Sequence, residues 1–271
     1  MRNLIKIDLI RILKDKLFLI AAIITGAFAL FTPLLYKLLF SAIGLDDTSG
    51  MEGMFSIGAR DLFFQSFSPG NNLGIIIPIF VTIILCKDFS WGTVRNKLIS
   101  GKKRWKVFLS TFITCSVTMC AFMLTHGLLT LGVSLILFDY GVAFDTAELG
   151  YMLLSVLFEM LVYIFISALI SFFTVLTRKA GVAVVLYFAV NFFFSIVGSI
   201  TMIVAPLLSE ADAAYTVVNL LNNANVFTSG VIGGGASYSL ADVLYVLLPT
   251  LLGSALFVLL GIKVFSKKDL K

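Results

Sequence analysis

The chain has 271 residues, of which 59% are hydrophobic and only 13% are charged. Soluble domains average about half apolar and a quarter charged residues, so this composition excludes an ordinary soluble protein and indicates a polytopic membrane protein. The net charge of +5 does not indicate nucleic-acid binding, because the basic residues gather at the ends of apolar runs, where they would lie against anionic lipid.

The N-terminal segment 1–16 mixes apolar and basic residues and predicts an interfacial helix along the membrane; a simple extension of the first span is the alternative. A signal peptide over residues 1–29 is rejected, because the charged region is too long and no cleavage site precedes Pro33. Six apolar runs follow that are candidates to cross the membrane: Leu17–Phe40, Leu73–Cys86, Val107–Phe138, Tyr151–Leu176, Gly181–Ala205 and Val243–Phe265. The sequence thus predicts an all-α protein with six transmembrane helices, forming one permease domain over residues 1–271.

Two of these runs depart from the length of about 20 residues that a span needs. The second is too short alone, so we expect it to recruit Leu62–Ser68 across the break at Pro69-Gly70, or to lie where protein surrounds it. The third is longer than necessary, and we expect it to tilt or to extend beyond the membrane.

The distribution of basic residues predicts the orientation. All Lys and Arg residues except Lys37 and Arg60 fall on the same side of the six predicted spans. Because cytoplasmic loops carry an excess of Lys and Arg, both termini are predicted to be cytoplasmic.

Two outer segments are long enough to carry structure of their own. Residues 41–72 contain an acidic patch (Asp46, Asp47 and Glu52), and we expect a short helix there. The segment 206–242 is rich in Asn and contains Gly233-Gly234-Gly235. It predicts either a half-helix that dips back into the membrane or a cap over the outer mouth.

The crossing at residues 87–106 predicts a helix of about ten residues held parallel to the membrane. Asp88 or Ser90 is placed to cap its N-terminus, and Gly101 to end it with a positive φ. One apolar face is expected from the spacing of three residues: Trp91, Val94 and Leu98. An interfacial loop that merely maintains the topology is the alternative.

The pattern Asp88-x-x-x-Gly92-Thr93-x-Arg95-x-x-Leu98-x-x-Gly101-x-x-Arg104 resembles the signature after the second span of type-2 ABC transporter permeases. Asp88 stands where that family more often has Glu, and Gly101 stands where Pro often occurs. The basic N-terminus, six spans and long last outer segment also match the family's layout.

The resemblance implies that segment 87–106 is a coupling helix, with Asp88, Gly92, Thr93, Arg95, Leu98 and Arg104 as its ATPase-coupling residues. It further implies two copies of a separate ABC ATPase and a second permease copy or paralogue as partners, in a bacterial cytoplasmic membrane.

No catalytic site is predicted on this chain. The sequence has no G-x-x-x-x-G-K-[ST], H-E-x-x-H or G-x-S-x-G pattern, and one His with three Cys (Cys86, Cys115 and Cys120) does not form a metal motif. We therefore expect no cofactor here, with ATP and Mg²⁺ on the partner ATPase, and interpret the cysteines as small core residues.

Glu159 and His126 lie inside predicted spans at similar depths, so they could pair directly or through water. An ionisable residue inside a membrane is a candidate functional residue, although a locally paired structural role is the alternative. The aromatic groups Phe63-Phe64 and Phe192-Phe193-Phe194 could line an apolar path, but we interpret them as packing or lipid-facing residues.

These observations favour the membrane subunit of an ABC exporter for an amphipathic or hydrophobic substrate, with peptides or antibiotics as the class suggested by family resemblance. The alternatives are a proton-linked secondary transporter or channel that uses Glu159 and His126, and a membrane enzyme or assembly subunit.

Overall fold

The computed structural model describes residues 1–43, 58–208, 213–227, 232, 235 and 237–267, without the side chains of residues 43 and 72. Over this part of the chain all regular structure is helical, which confirms the all-α prediction. The helices are α1 (Arg2–Lys14), α2 (Lys16–Ile43), α3 (Ala59–Phe67), α4 (Asn72–Ser90), α5 (Thr93–Ile99), α6 (Arg104–Leu137), α7 (Thr146–Thr177), α8 (Ala180–Val204), α9 (Ala213–Asn223) and α10 (Leu240–Lys267). The predicted acidic patch and Gly233-Gly234 lie outside the described residues.

Six described helices are long and apolar enough to cross a membrane: α2, α4, α6, α7, α8 and α10. Each contains or closely overlaps one of the predicted apolar runs. The two ends of the bundle differ in charge. One end carries α1, α5 and the end of α10. The end of α10 lies beside α5 because Arg104, after α5, donates to the backbone oxygens of Phe265 and Ser266 at 3.2 Å. We call this end the basic end, because most Lys and Arg residues lie there.

Three of the six long helices form the centre of the bundle. The most apolar stretches of α4, α6 and α7 are 56%, 61% and 61% buried, whereas those of α2, α8 and α10 are 22%, 17% and 11% buried. In a membrane the outer three helices would therefore present most of their side chains to lipid or to another protein chain. Phe192 and Phe193 are exposed on α8, while Phe63 and Phe64 are buried in the core, in agreement with their interpretation as surface and packing residues.

The N-terminal segment is a separate helix rather than an extension of α2. Asp15 has an extended backbone (φ −74°, ψ 131°) that ends α1 before α2 begins at Lys16. Leu4, Asp8 and Ile12 are buried, at the spacing of one helix face. Ile7, Ile10 and Leu13 are exposed, and such an apolar face beside basic residues is compatible with the predicted position along the membrane interface.

The short second span is extended by a second helix, as predicted. α3 ends at Phe67, the chain breaks at 68–71, and α4 then begins. Side chains from neighbouring helices bond to backbone oxygens around this break: the Tyr163 hydroxyl donates to Phe67 at 3.0 Å, and the Asn191 amide to Pro69 at 3.4 Å. Backbone N–H and C=O groups that are not in a helix need such partners inside a bundle, because water does not reach them to form hydrogen bonds.

The last outer segment returns into the bundle after α9, which supports the dipping arrangement over the cap. The Asn225 amide donates to the backbone oxygen of Phe194 at 2.7 Å, well before the end of α8. Phe227 is fully buried and stacks on Phe194, with ring centroids 5.5 Å apart. Its backbone oxygen also lies close to Gly70, so the dipping segment meets the break between α3 and α4.

Candidate functional site

The link from α4 to α5 differs from the predicted capped helix. α4 continues through Asp88 to Ser90, so neither residue caps α5, and Gly92 holds the N-cap position with a left-handed φ of 69°. α5 has seven residues rather than about ten. The capping prediction was wrong because the backbone of α4 stays helical through Asp88 and Ser90, and the break comes only at Gly92.

The C-terminus of α5 forms the turn that Gly101 predicted. Gly101 has a φ of 80°, its N–H donates to Leu98 at 3.0 Å, and the N–H of Lys102 donates to Lys97 at 3.3 Å. These two bonds make a Schellman motif, which satisfies backbone oxygens that the end of a helix otherwise leaves free. The turn directs the chain straight into α6.

α5 has one face against the bundle and one away from it. Val94 is buried in a small cluster with Val107, Phe108, Val175 and Phe265, and Leu98 packs against that cluster. The outward side is formed by Arg95 and Ile99, which are exposed one turn apart on α5, and by Trp91, which is exposed directly before Gly92. The predicted apolar face was therefore right for Val94 and Leu98 and wrong for Trp91, which is 67% exposed. We call these three exposed residues the α5 outer face.

The six residues that the family signature singled out do not form one surface. Asp88 is buried and pairs with Arg11 of α1. Gly92 and Thr93 form the start of α5, Leu98 faces the bundle, and Arg104 holds the end of α10. Arg95 alone of the six is exposed beyond the bundle. Most of the signature therefore shapes and anchors α5, while Arg95 belongs to its outer face.

A group of ion pairs that the sequence did not predict, in which each pair has at least one buried or largely buried partner, joins α1 to this segment. We define the ion-pair cluster as Asp8, Arg11 and Asp15 of the N-terminal segment with Lys87, Asp88 and Lys97. Lys97 donates to Asp8 at 2.6 Å, and the Ser110 hydroxyl of α6 donates to the other carboxylate oxygen at 2.9 Å. Lys87 donates to both oxygens of Asp15 at 2.8 and 2.9 Å.

The cluster is well shielded from solvent, which makes its pairs stronger and its loss costlier than on a surface. Asp8, Asp88 and Lys97 are 1%, 4% and 8% exposed. Burial raises the pKa of Asp15, but the hydrogen bonds from Lys87 and the Leu17 backbone outweigh burial, so this pKa lies below its ordinary value of 3.8. α1 is therefore fixed to both α4 and α5, and the three elements form one charged unit at the basic end.

Glu159 and His126 are both buried but do not bond directly. Both ring nitrogens of His126 lack a hydrogen-bond partner, as does Oε2 of Glu159. Glu159 lies on α7 one turn from Ser155 and one turn from Tyr163, in the centre of the bundle. His126 lies on α6 facing α2 and α3, where it lines two cavities. The direct pairing that the sequence allowed is therefore not formed.

At the end of the bundle opposite α5, a second network missed by the sequence analysis holds α3, α7 and the last outer segment together. Arg60 donates to Glu148 at 2.6 Å and bonds the backbone oxygen of Gly235. Tyr140 donates to the same carboxylate at 2.9 Å. Burial alone would lower the pKa of Arg60, but the bond to Glu148 raises it; burial and that bond both raise the pKa of Tyr140. Arg60, one of the two basic residues that fall outside the side rich in Lys and Arg, therefore links α3 to α7 and to the last outer segment.

No group of three or more His, Cys, Asp or Glu residues in the described part of the chain is arranged to hold a metal ion. Cys86, Cys115 and Cys120 are free and buried, as expected for core residues.

Comparison with known proteins gives a family and no assigned activity. A search of curated proteins finds no match. A family model does match, over residues 18–271, which leaves only α1 and the start of α2 outside the match. Because the matched region covers nearly the whole chain, the protein belongs to the DUF2705 family, which is described as a protein of unknown function.

Proposed function

We propose that this chain is the membrane permease subunit of an ATP-driven exporter, coupled to separate ATPase subunits at the basic end. The resemblance of residues 88–104 to type-2 ABC permeases supports this function. So does the set of six apolar helices, which is compatible with half of a pathway made by two permease copies. ATP and Mg²⁺ would bind to the two ATPase partners.

The observation that carries the proposal is the two-sided construction of α5. Its inner face is fixed by the buried Val94 and by the pair between Lys97 and Asp8. Its outer face presents Arg95 and Ile99, which is 74% exposed, one turn apart, with Trp91, which is 67% exposed, directly before the helix. Of these three exposed residues, the tryptophan and the arginine are of the types enriched among the residues that dominate binding at protein interfaces.

The ion-pair cluster would transmit movement from such an interface. A partner that displaces α5 also displaces α1 and the end of α4, because Lys97 binds Asp8 and Arg11 binds Asp88. α4 belongs to the centre of the bundle, and α1 leads into the outer helix α2. A force applied at α5 therefore reaches both a central and a peripheral helix through contacts stronger than surface pairs.

The substrate we propose is an amphipathic or hydrophobic molecule, with peptides and antibiotics as the classes suggested by the resemblance. An amphipathic molecule concentrates in the inner leaflet by burying apolar surface, so it would reach the bundle from the side. We further propose that the chain is a multi-pass protein of a bacterial cytoplasmic membrane with both termini cytoplasmic, since the basic end carries most of the Lys and Arg residues.

The first test is purification of the tagged native chain in a mild detergent, with mass spectrometry of the proteins that stay bound. We expect a stoichiometric partner that carries G-x-x-x-x-G-K-[ST]. A chain that purifies without such a partner, and that transports in response to a proton gradient, would contradict the proposal.

The second test separates docking from folding. Arg95→Glu reverses the only charge on the α5 outer face and should weaken ATPase binding and uncouple ATP hydrolysis from transport. Lys267→Glu is the matched control, because Lys267 is also an exposed basic residue at the basic end but lies on α10. If both variants bind the ATPase as the native chain does, the docking role of α5 is refuted.

A proton-linked transporter is the second candidate, and buried Glu159 favours it. Its Oε2 has no partner, although a carboxyl group inside a bundle normally finds one. Under this alternative, Glu159→Gln abolishes proton-driven uptake while the chain still folds. If Glu159→Gln left export and complex assembly unchanged, the functional role of this residue would be dropped.

A further inference from the structure

Two cavities follow the contact between α2 and α6, and His126 lines both of them. The cavity nearer the basic end has a volume of about 140 Å³ and is mainly apolar, with Phe18 and Gly26 of α2 opposite Phe122 and Leu129 of α6. The other has a volume of about 120 Å³ and a wall of mixed polarity. Its polar lining comes from α2, α3, the start of α4 and α6, and includes Tyr36, Gln65, Asn71 and Thr130. We call the pair the α2–α6 groove.

The polar cavity contains hydrogen-bonding groups that the protein does not use. His126 is only 6% exposed, yet neither ring nitrogen has a partner, and the buried hydroxyl of Thr130 has none either. A buried donor or acceptor without a partner costs free energy, so packing alone does not explain why a histidine and a threonine stand at positions 126 and 130. An imidazole offers one donor and one acceptor, and a hydroxyl offers both, so together they suit a ligand that carries hydroxyl or amide groups.

The chemistry of the lining restricts the ligand further. Among the residues that line the two cavities none is charged, so a charged group placed there would be buried without a partner. The polar cavity has a volume of about 120 Å³, which is enough for several ordered water molecules or for a small head group that carries hydroxyl groups. The apolar cavity beyond His126 would accept hydrocarbon.

The arrangement also fits one molecule that reaches both cavities, since His126 lines each of them. Phe18 and Tyr36, at the two ends of the groove, are separated on α2 by about 27 Å at 1.5 Å per residue. That length matches a small head group together with an extended acyl chain. The apolar cavity of about 140 Å³ takes only part of such a chain, and the rest would lie along exposed apolar residues of α2 such as Ile23. His126 lies between the polar and apolar parts, where the head group of such a molecule meets its chain.

We propose that the α2–α6 groove binds a neutral single-chain amphiphile, with a hydroxyl or amide head group at His126 and Thr130 and its hydrocarbon chain against Phe18 and Gly26. The binding site goes beyond the transport function proposed above and does not depend on it. Such an amphiphile is either a resident membrane lipid or a molecule that the protein moves.

The probe for this site is a monoacylglycerol with a photoactivatable diazirine in its acyl chain, added to membranes that contain the full chain. After illumination, mass spectrometry locates the labelled residues. We expect label on α2 around residues 18–26 and on α6 around residues 121–129. Label spread evenly over the exposed faces of α8 and α10 would overturn the proposal, because it would report ordinary contact with lipid.

Gly26 offers a variant that blocks the groove without a clash. A Cβ atom at Gly26 would meet no atom within 4 Å, so Gly26→Leu extends into open space in the apolar cavity. Gly132→Leu is the matched control, since Gly132 on α6 is equally open but lines neither cavity. We expect Gly26→Leu to reduce labelling about tenfold, the effect of excluding roughly two methylene groups, and Gly132→Leu to leave it unchanged. Equal labelling in both variants would refute the site.

His126→Phe tests the head-group contact separately from the chain. It should reduce labelling by the monoacylglycerol, while labelling by a diazirine alkane without a head group stays at the native level. An equal response of the two probes would refute the polar contact. Illumination of native membranes during MgATP turnover then separates the two sources, and this step alone rests on the proposed function: labelling by a transported molecule should fall, and labelling by a resident lipid should stay at its level without MgATP.

Discussion

The pair between Lys97 and Asp8 gives the sharpest prediction about the basic end. Lys97→Met keeps the length and apolar stem of the side chain but removes the ammonium group from Asp8, which is 1% exposed. Asp8 would then keep the hydroxyl of Ser110 at 2.9 Å and the more distant Arg11 at 3.8 Å. Because the remaining carboxylate is buried with less compensation, we expect α1 to leave its position on α5 and α6 more often.

The magnitude follows from the burial of both partners. Removing one member of a buried ion pair costs about 3–5 kcal/mol, and each 1.4 kcal/mol changes an equilibrium tenfold. If this cost falls on the docking of α1, the undocked population rises roughly 100- to 4,000-fold. The rest of the bundle should change little, since local opening does not require global unfolding.

Hydrogen exchange of the purified protein measures this effect directly. The amides of α1 and α5 should exchange faster in Lys97→Met by the factor given above, while those at the centres of α6 and α7 keep their protection. Lys102→Met is the control, because Lys102 is exposed in the same segment and should leave exchange unchanged.

The double variant Asp8→Asn with Lys97→Met decides whether the buried charge is the cause. It removes both charges, so much of the lost protection should return. Two outcomes would refute the reasoning: unchanged α1 exchange in Lys97→Met, or a double variant whose α1 exchanges at least as fast as that of the single variant.

Three further predictions concern the ends of the bundle. Gly92→Ala should lower the free energy of unfolding by about 1–2 kcal/mol in a denaturant titration, since φ is 69° there, and Gly92→Asn should cost less because Asn tolerates that conformation. Arg60→Met should lower the free energy of unfolding by about 3–5 kcal/mol, because the substitution leaves the carboxylate of Glu148 buried without its cation. The Tm should fall more in Arg60→Met than in Glu148→Gln, because Glu148→Gln leaves a guanidinium that is partly exposed to solvent. The pKa of Asp15 is lower in the folded protein than its ordinary value of 3.8, so its contribution to the free energy of unfolding is complete above pH 3.8 and is lost as the pH falls through the pKa of the folded state. The Tm difference between the native chain and Asp15→Asn should therefore be constant above about pH 5 and vanish in strong acid.

Much of the architecture follows from local patterns, and for that reason it could be predicted. A span in lipid must satisfy its own backbone, so an apolar run of sufficient length is a helix whatever its neighbours are. That rule located the six long helices to within a few residues, and it predicted that the short second span needed the segment before Pro69. Gly101 predicted the turn after α5 because its left-handed conformation is a property of the residue itself.

The arrangement of charges and polar groups depends on contacts between distant parts of the chain. Arg11 and Asp88 are 77 positions apart, and Asp8 and Lys97 are 89 apart. In the sequence, these four residues entered only the charge count that predicted the orientation in the membrane. Nothing in the neighbouring sequence distinguishes a basic residue that pairs with a distant carboxylate from one that only marks the cytoplasmic side. The helical spacing of Trp91, Val94 and Leu98 placed Trp91 on the inner face of α5, but α5 begins only after Gly92 and Trp91 is exposed.

The candidate sites show the same division. The sequence by itself identified α5 as a special segment and Glu159 and His126 as costly intramembrane residues. Only the tertiary structure decided that Arg95 points outward while Asp88 is buried, and that His126 faces the α2–α6 groove rather than Glu159. Hydropathy and backbone conformation are carried by neighbouring residues, whereas the partner of a buried polar group is set by how the helices pack.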